Sequence, residues 1–449
     1  MKPKKQERSA VDDLFRMRLE QLLDQRNALY RLAGKIDWGM AEAHFGGLYA
    51  EVGRPALPIR LMVGLHYLKH AFNESDETVV TRWVENPYWQ YFCGEEYFRH
   101  EMPIDPSQMT RFRERIGADG CELMLALTVK SGVETKTVSE RSLVVVNVDT
   151  TVQDKAIAFP TDARLYHKAR SALVRQAKQL GIELRQSFER LSKLALAKSG
   201  RYAHARQMKR AKREQKRLKI YLGRVIRDIE RKVAVRQMAD QPEHSGLAKL
   251  LVLARRIHAQ QRSDKGKVYS VHAPEVECLA KGKAHKPYEF GVKVGVVSTN
   301  KESFVIGMKS LPGNPFDGHT LTESLEQAAR LTGIQPKEAY VDRGYRGHGV
   351  TDAVQVWIAG ARRGVTVAIK KKLKRRNAIE PVIGHMKNDG RLGRNFLKGI
   401  AGDAMNALLC GAGHNLRKIL RRLALLCARF VINHNQWLDC HRPSQPLVF

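Results

Sequence analysis

Long apolar runs are missing from this 449-residue chain. None approaches the ~18 residues that a membrane-spanning helix needs, so no membrane span is expected. Met1-Lys-Pro-Lys-Lys5 opens basic, but no apolar stretch follows, so no secretory signal is expected. Cysteine is sparse: Cys93, Cys121, Cys278, Cys410, Cys427 and Cys440 show neither a CxxC nor a pairing rhythm. That scatter argues against a disulfide framework and suits a reducing compartment, so a cytoplasmic protein is expected. Cys427, His434, Cys440 and His441 gather near the C-terminus at spacings that fit no zinc template. A phosphate-binding glycine loop with its lysine, a nucleophile elbow and an HExxH pair are also absent, which removes the commonest hydrolase and nucleotide-binding motifs.

Acidic residues are the remaining shortage. Asp and Glu number 46 against 78 Lys and Arg, leaving a formal charge of +32. Such a surplus implies a polyanionic partner, most often nucleic acid, because each neutralised phosphate releases counterions. The plain alternative is a basic protein without such a partner. Between Arg164 and Arg236 the imbalance is steepest, 23 Lys and Arg against 5 Asp and Glu. A face that merely solvates a helix would mix the two signs, so DNA-backbone contact is the favoured reading of this stretch. At 43% apolar and 28% charged, the composition is that of a folded globular chain, long enough for two or three domains.

Residues 1–135 read as helical. Val11, Phe15, Leu19, Leu22 and Leu23 keep helical spacing, and Pro58–Leu68 continues as a more buried helix. Ser75 is placed to cap the next helix, with Asp76 and Glu77 in its first turn and Pro87 beyond it. Asp105-Pro106 opens a helix over Ser107–Ile116, ending at Gly117, that displays Gln108, Arg111, Arg113 and Arg115. A short helix, a turn and a basic helix fit a helix-turn-helix reader of the major groove, and equally a plain bundle.

Residues 136–163 then carry sheet, residues 164–265 a basic helical insertion, residues 266–400 sheet again, and residues 401–449 a C-terminal helical segment. Two stripes mark the insertion: Leu184, Phe188, Leu191 and Leu194, then Leu218, Leu222, Val225, Ile226, Ile229 and Val233. Strands are expected over Tyr288–Ser298, Phe304–Leu311, Ala339–Asp342 and finally Val365–Ile369, with a turn at Asn314–Gly318 and a helix over His319–Leu331. Met405–Leu426 reads as an apolar-striped helix in which Gly411 and Gly413 allow close packing.

Three acids stand out. Leu143-Val-Val-Val-Asn-Val-Asp149 is a β-branched run that ends on one carboxylate before the chain turns polar. Ala339-Tyr-Val-Asp342-Arg343-Gly-Tyr-Arg346-Gly is a second short strand ending on Asp, followed by a turn with two arginines. Glu380 stands at the start of a helix after the basic run Lys370–Arg376, with Asn377 in a capping-box relation to it. A turn Asp and a capping Glu are the plain alternatives. Grouped carboxylates repel unless a cation lies between them, and Mg²⁺ is the hard, oxygen-loving ion that suits them, with Mn²⁺ able to substitute. Two such ions support in-line displacement at phosphorus without a protein nucleophile.

These residues resemble the DDE triad of bacterial insertion-sequence transposases, in the group that includes insertion sequence five. The likeness rests on Asp149-Thr-Thr-Val-Gln153, Gly313-Asn-Pro-Phe-Asp-Gly-His319, Tyr340-Val-Asp342-Arg-Gly-Tyr345 and the Arg376-x3-Glu380-x6-Lys387 spacing, and it covers nearly the whole chain. Two departures stand against it. Leu373 occupies a position where the group often has Tyr, and the long insertion follows the first strand rather than preceding the final helix.

The resemblance implies an α/β fold: a ribonuclease H-like mixed-sheet catalytic core, a helical N-terminal DNA-binding domain and a long basic helical insertion. It implies that Asp149, Asp342 and Glu380 are catalytic and hold Mg²⁺. Arg376 and Lys387 would bind phosphates flanking the scissile bond. Arg343, Arg346, Arg111 and Arg115 are further candidate DNA contacts. Asp317 and His319 lie in a shared motif and fit a structural turn or a catalytic role equally; His348 and His385 read as local hydrogen-bonding residues. The expected activity is cleavage at element ends followed by joining of the 3′-hydroxyl to target DNA. Expected partners are double-stranded DNA (terminal repeats and target) and a second copy in a dimer or larger synaptic complex, in a bacterial, nucleoid-associated setting. A nuclease that cuts without joining, and a DNA binder with a decayed centre, are the alternatives.

Overall fold

The computed structural model describes residues 17–50, 52, 56–235, 245–280, 287–350, 353–361 and 363–440. Val11, Phe15 and His441 lie outside them, as do the side chains of Cys427, His434 and Cys440. The fold divides into two compact units, one of Met1–Asp154 with Val292–Phe449 and one of Lys155–Gly291. Among the described residues no helix is long and apolar enough to cross a membrane.

Among the described residues the first unit begins with α1 (Leu19–Leu22), α2 (Ala28–Ala33), α3 (Trp38–Gly46), α4 (Ile59–Ala71), α5 (Asp76–Glu85), α6 (Pro87–Phe92) and α7 (Ser107–Glu134). In α4 every residue but Arg60 is buried, as its near-continuous apolar sequence requires. Ser75 accepts from the Thr78 amide and Thr78 returns the bond to the Ser75 amide, closing a capping box at the start of α5. Pro87 does more than bound α5: with Asn86 as cap it opens α6 at the position where a missing N–H goes unnoticed. Leu19 and Leu23 are buried, whereas Leu22 is exposed.

Two expectations fail at α7. The helix bends at Gly117, where φ is 62°, and then resumes to Glu134, so Ser107–Ile116 is the first arm of a long kinked helix. Arg113 is not displayed. It is buried, donates two bonds to Asp76 at 2.9 and 2.6 Å, and a third to the ring of His66 at 3.3 Å. The helical period put Arg113 beside Arg111 and Arg115, but a charge is drawn inward once a buried carboxylate is there to meet it.

A mixed sheet follows. Strands β1 (Val145–Asp154), β2 (Glu277–Ala280), β3 (Tyr288–Thr299), β4 (Val305–Leu311), β5 (Glu338–Val341) and β6 (Gln355–Ile358) form it. In the first unit the order is β4-β3-β1-β5-β6, with β3 and β4 antiparallel and the β1–β5 and β5–β6 pairs parallel. The last strand is therefore Gln355–Ile358 and not Val365–Ile369. That second segment enters a helix instead: the Thr366 side chain accepts from the Ile369 amide and caps it, and the lysines and arginines that follow are good helix formers.

The remaining helices are α8 (Asp162–Gln179), α9 (Glu189–His204), α10 (Met208–Val235), α11 (Ser245–Ala259), α12 (Leu321–Thr332), α13 (Val367–Arg376), α14 (Ile379–Asp389) and α15 (Gly399–Cys440). Helix α15 packs along α7, α4 and β4. A Cβ on Gly413 would stand 2.5 Å from the His70 carbonyl oxygen, and one on Gly411 2.8 Å from Met308. Gly413→Ala, facing unyielding backbone, is expected to lower unfolding stability by about 1–3 kcal/mol, which denaturant titration of both proteins would measure.

The second unit holds α8–α11 on their own core, with β2 antiparallel to Tyr288–Gly291. The Leu218, Leu222, Val225, Ile226 and Ile229 stripe of α10 is buried as its spacing requires. The stripe expected on α9 is not there. Leu191 and Leu194 are exposed, and the buried positions are Ser192, Ala195 and Ser199. Phe188 lies just outside the helix at φ 53°, so the true face is rotated from the one that leucine spacing suggests.

Candidate active site

The parallel register decides where two of the three acids meet. Val145, Val146 and Asn147 pair with Glu338, Ala339 and Tyr340, and continuing the register two residues sets Asp149 beside Asp342. Asp342 directly follows the carboxyl end of β5, whereas Asp149 lies in the middle of β1, which runs on to Asp154. One guanidinium joins them. Arg376 Nη2 donates to Asp149 Oδ2 at 2.8 Å and lies 3.9 Å from Asp342 Oδ2. The other Asp149 oxygen accepts from the Thr150 amide, and Asp342 Oδ1 accepts from the Gly344 amide at 2.9 Å.

Arg376 lies outside the Glu380 helix, at the end of a helix of its own. It is the last residue of α13, buried, and among the described residues its Nε has no partner. Asn377 closes α13 rather than capping the next helix, whose cap position is Ala378 and carries no side-chain bond. The proposed capping box around Glu380 is therefore absent. The chain passes from α13 into α14 with almost no linker, and helical turns on both sides satisfy the amides that a cap would serve.

A third carboxylate stands here, and it is Asp317. Its Oδ1 accepts from the Thr150 hydroxyl and from Lys293 Nζ, each at 3.0 Å, and Lys293 also donates to the Pro315 carbonyl at 2.7 Å. A Cβ on Gly344 would meet Asp342 Oδ1 at 3.0 Å and Asp317 Oδ2 at 3.2 Å, so both carboxylates border that turn and a larger residue there would press on them. Near them the Tyr345 phenol is fully buried and, among the described residues, has no hydrogen-bond partner. Burial, and after it the charges of Asp149, Asp317 and Asp342, push its pKa well above the ordinary value.

Glu380 is exposed in the first turn of α14 and, among the described residues, has no hydrogen-bond or ion-pair partner through its side chain. Lys387 is half-buried in the last turn of the same helix. Arg343 and Arg346 are exposed on the turn after Asp342, the first with its guanidinium laid against Gly360. Arg111 and Arg115 line a different cleft, of about 630 Å³, shared with Gln108, Met62, Phe112 and Tyr49. Arg115 there sits 4.3 Å from the centre of the Tyr49 ring. His348 and His385 make local bonds, to the Val350 amide at 3.1 Å and to Asp389 at 2.9 Å.

Among the described residues no three His, Cys, Asp or Glu side chains are gathered tightly enough to hold a metal ion. The donor chemistry nonetheless fits a hard divalent cation. Every ligand on offer is a carboxylate oxygen, and the positive charge that such a group requires is at present supplied by Arg376 and Lys293. Sequence reasoning left Asp317 undecided and passed over Lys293, Thr150 and Tyr345. The signals were a lysine inside the apolar strand Tyr288–Ser298 and the tyrosine closing Tyr-Val-Asp-Arg-Gly-Tyr.

A family model described as "Transposase domain (DUF772)" matches residues 17–115, from α1 through the first arm of α7. Arg111 and Arg115 fall at the end of that stretch, and the carboxylates fall outside it. A Rhizobium meliloti protein, described as an uncharacterized protein ORF8 in the nfe locus, is 59% identical over 199 residues, covering 96% of that protein and 44% of this chain. No solved structure matches.

Proposed function

We propose that the chain, whose residues 17–115 match a transposase-domain model, is a DDE-type DNA transposase with a ribonuclease H-like core. One observation carries the reading: Asp149 on β1 and Asp342 just past the end of β5 face each other across a parallel strand pair and share a single buried arginine. Asp149 and Asp342, with Glu380 from α14, would hold Mg²⁺, or Mn²⁺ in its place. Held there, such an ion would supply Lewis-acid stabilisation of charge at the scissile phosphate and would activate the attacking hydroxyl.

The chain's own side chains supply the rest. Arg376, released from Asp149, presents a planar fork suited to a phosphate, and Lys387 adds a point charge on the Glu380 helix. Thr150 and Lys293 hold the Asp317 carboxylate in place through bonds to its Oδ1. Arg343 and Arg346 extend positive charge along the approach to Asp342. The partner is double-stranded DNA, met also by Arg111 and Arg115 and by the basic helices α8–α11, and the working form is a dimer or larger complex because two ends must be joined.

The test uses purified protein, Mg²⁺ and a labelled duplex carrying the element's own end together with target DNA. Nicked ends followed by strand-joined product are expected. Cut ends that never join would replace the reading with a nuclease, and binding without cutting under Mg²⁺ or Mn²⁺ would replace it with a DNA binder.

A further inference from the structure

A cavity of about 330 Å³ lies between α14 and α15, on the side of α14 away from Glu380 and Lys387. Ala378, Pro381 and Val382 give it an apolar wall, while Arg417, Lys418 and Arg421 enter from α15. These three cations are spaced one, three and four residues apart, so they crowd one stretch of helix and repel one another. Arg417 Nη1 donates to the carbonyls of His70, Ala71 and Asp389, and its Nη2 is buried without a partner. Among the described residues neither Lys418 nor Arg421 forms an ion pair. The one acid on the lining, Asp389, is engaged by His385 at 2.9 Å.

We propose that this cavity is a second DNA contact: a phosphate site that seats one phosphodiester, with the phosphate on Arg417, Lys418 and Arg421 and the sugar against Pro381 and Val382. Three cations, offset only in part by Glu302 near Lys418 and Asp389 near Arg417, leave a positive surplus that calls for an anion, and the apolar wall suits the deoxyribose face that accompanies a backbone phosphate but not a free one. The site lies on the helix that carries Glu380, so a strand held here braces α14 from behind. The assignment of the polyanion as DNA rests on the transposase reading; the anion chemistry does not.

The test measures affinity of the full chain for a random-sequence duplex across a salt series, with no divalent metal. Removing one phosphate-binding cation lowers the slope of log K against log salt by about 0.9. Arg421→Gln is expected to lower the slope by that amount and the Lys418→Gln/Arg421→Gln pair by about twice it, with thermal melting close to wild type. Lys35→Gln/Lys130→Gln, which removes two exposed charges already paired with Glu134 and Asp37, is expected to leave the slope unchanged. An unchanged slope in the Lys418/Arg421 variant overturns the proposal. If the slope is unchanged while inorganic phosphate raises the melting temperature of wild type alone, the cavity is a small-anion site and the DNA assignment falls. A chain that gives the expected slopes yet never cleaves DNA would sink the catalytic reading and leave this site standing.

Discussion

Asp149→Asn is expected to abolish cleavage and to loosen the fold, whereas Glu380→Gln is expected to abolish cleavage alone. Arg376 is buried against Asp149, and removing the negative partner leaves a desolvated cation behind. Breaking such a pair commonly costs about 3–5 kcal/mol; here about 2–3 kcal/mol is expected, because Asp342 remains as a second acceptor for the guanidinium. Asp342 is more exposed and an amide oxygen can still accept from Gly344, so Asp342→Asn should cost under about 1 kcal/mol. Glu380 is exposed and touches no partner, so its substitution should stay within about 0.5 kcal/mol of wild type. Activity should order differently: all three variants lose at least about 10²–10³-fold in end cleavage, the usual consequence of removing one preorganised electrostatic contact. Denaturant melts beside cleavage assays separate the two scales. Equal activity losses with the stability order Asp149, then Asp342, then Glu380 are expected. Full cleavage by Glu380→Gln would remove Glu380 from the site and promote Asp317, which already stands beside Asp342.

Much of this site was legible from the sequence because local pattern and sheet position coincide. An apolar, β-branched run predicts a strand, and β1 forms over the first such run, although it continues past Asp149 to Asp154. Two such runs in parallel register meet at their acids without any further information. Asp317 and Lys293 were not legible in that way. Their ion pair closes across a strand and a turn, and nothing in either neighbourhood names the other partner. Helix α13 was misread because Val365-Thr-Val-Ala-Ile369 is short and β-branched, which periodicity cannot tell from a strand; the Thr366 cap decides it. Arg113 shows the same limit. Its spacing sets the helix face it occupies, but whether that face meets water or Asp76 depends on α5.

That buried network has its own consequence: the protein should unfold in mild acid. His66, His70 and His414 are all buried. Burial, then the nearby Arg113, holds His66 down at about 3, and burial, then Lys418 and Arg417, holds His414 at about 3. Burial and Lys69 push His70 well below its ordinary value. Geometry fixes the neutral form of His66: an arginine nitrogen can only donate, so Nε2 must accept from Arg113 while Nδ1 donates to the Met62 carbonyl at 2.7 Å.

A depressed folded pKa gives stability that is present above the unfolded value of about 6.5 and lost as pH falls toward the folded one. At pH 5 each imidazole has given up about 2 kcal/mol, and three together about 6 kcal/mol, comparable with the whole stability of a typical domain. Asp76 behaves differently. Burial alone would raise its carboxyl, but Arg113 and then Lys69 outweigh it and hold the pKa far below the usual carboxylate range. It therefore contributes to acid loss only below about pH 4. Stability measured by denaturant at a series of pH values should fall steeply from about pH 6.5, with close to three protons taken up on unfolding. In His66→Gln the uptake should drop by one, because the glutamine can keep both bonds without titrating. A stability curve that stays flat between pH 7 and 5 would mean that these imidazoles reach water, and that the helical half of the first unit is packed more loosely than its buried ion pairs demand.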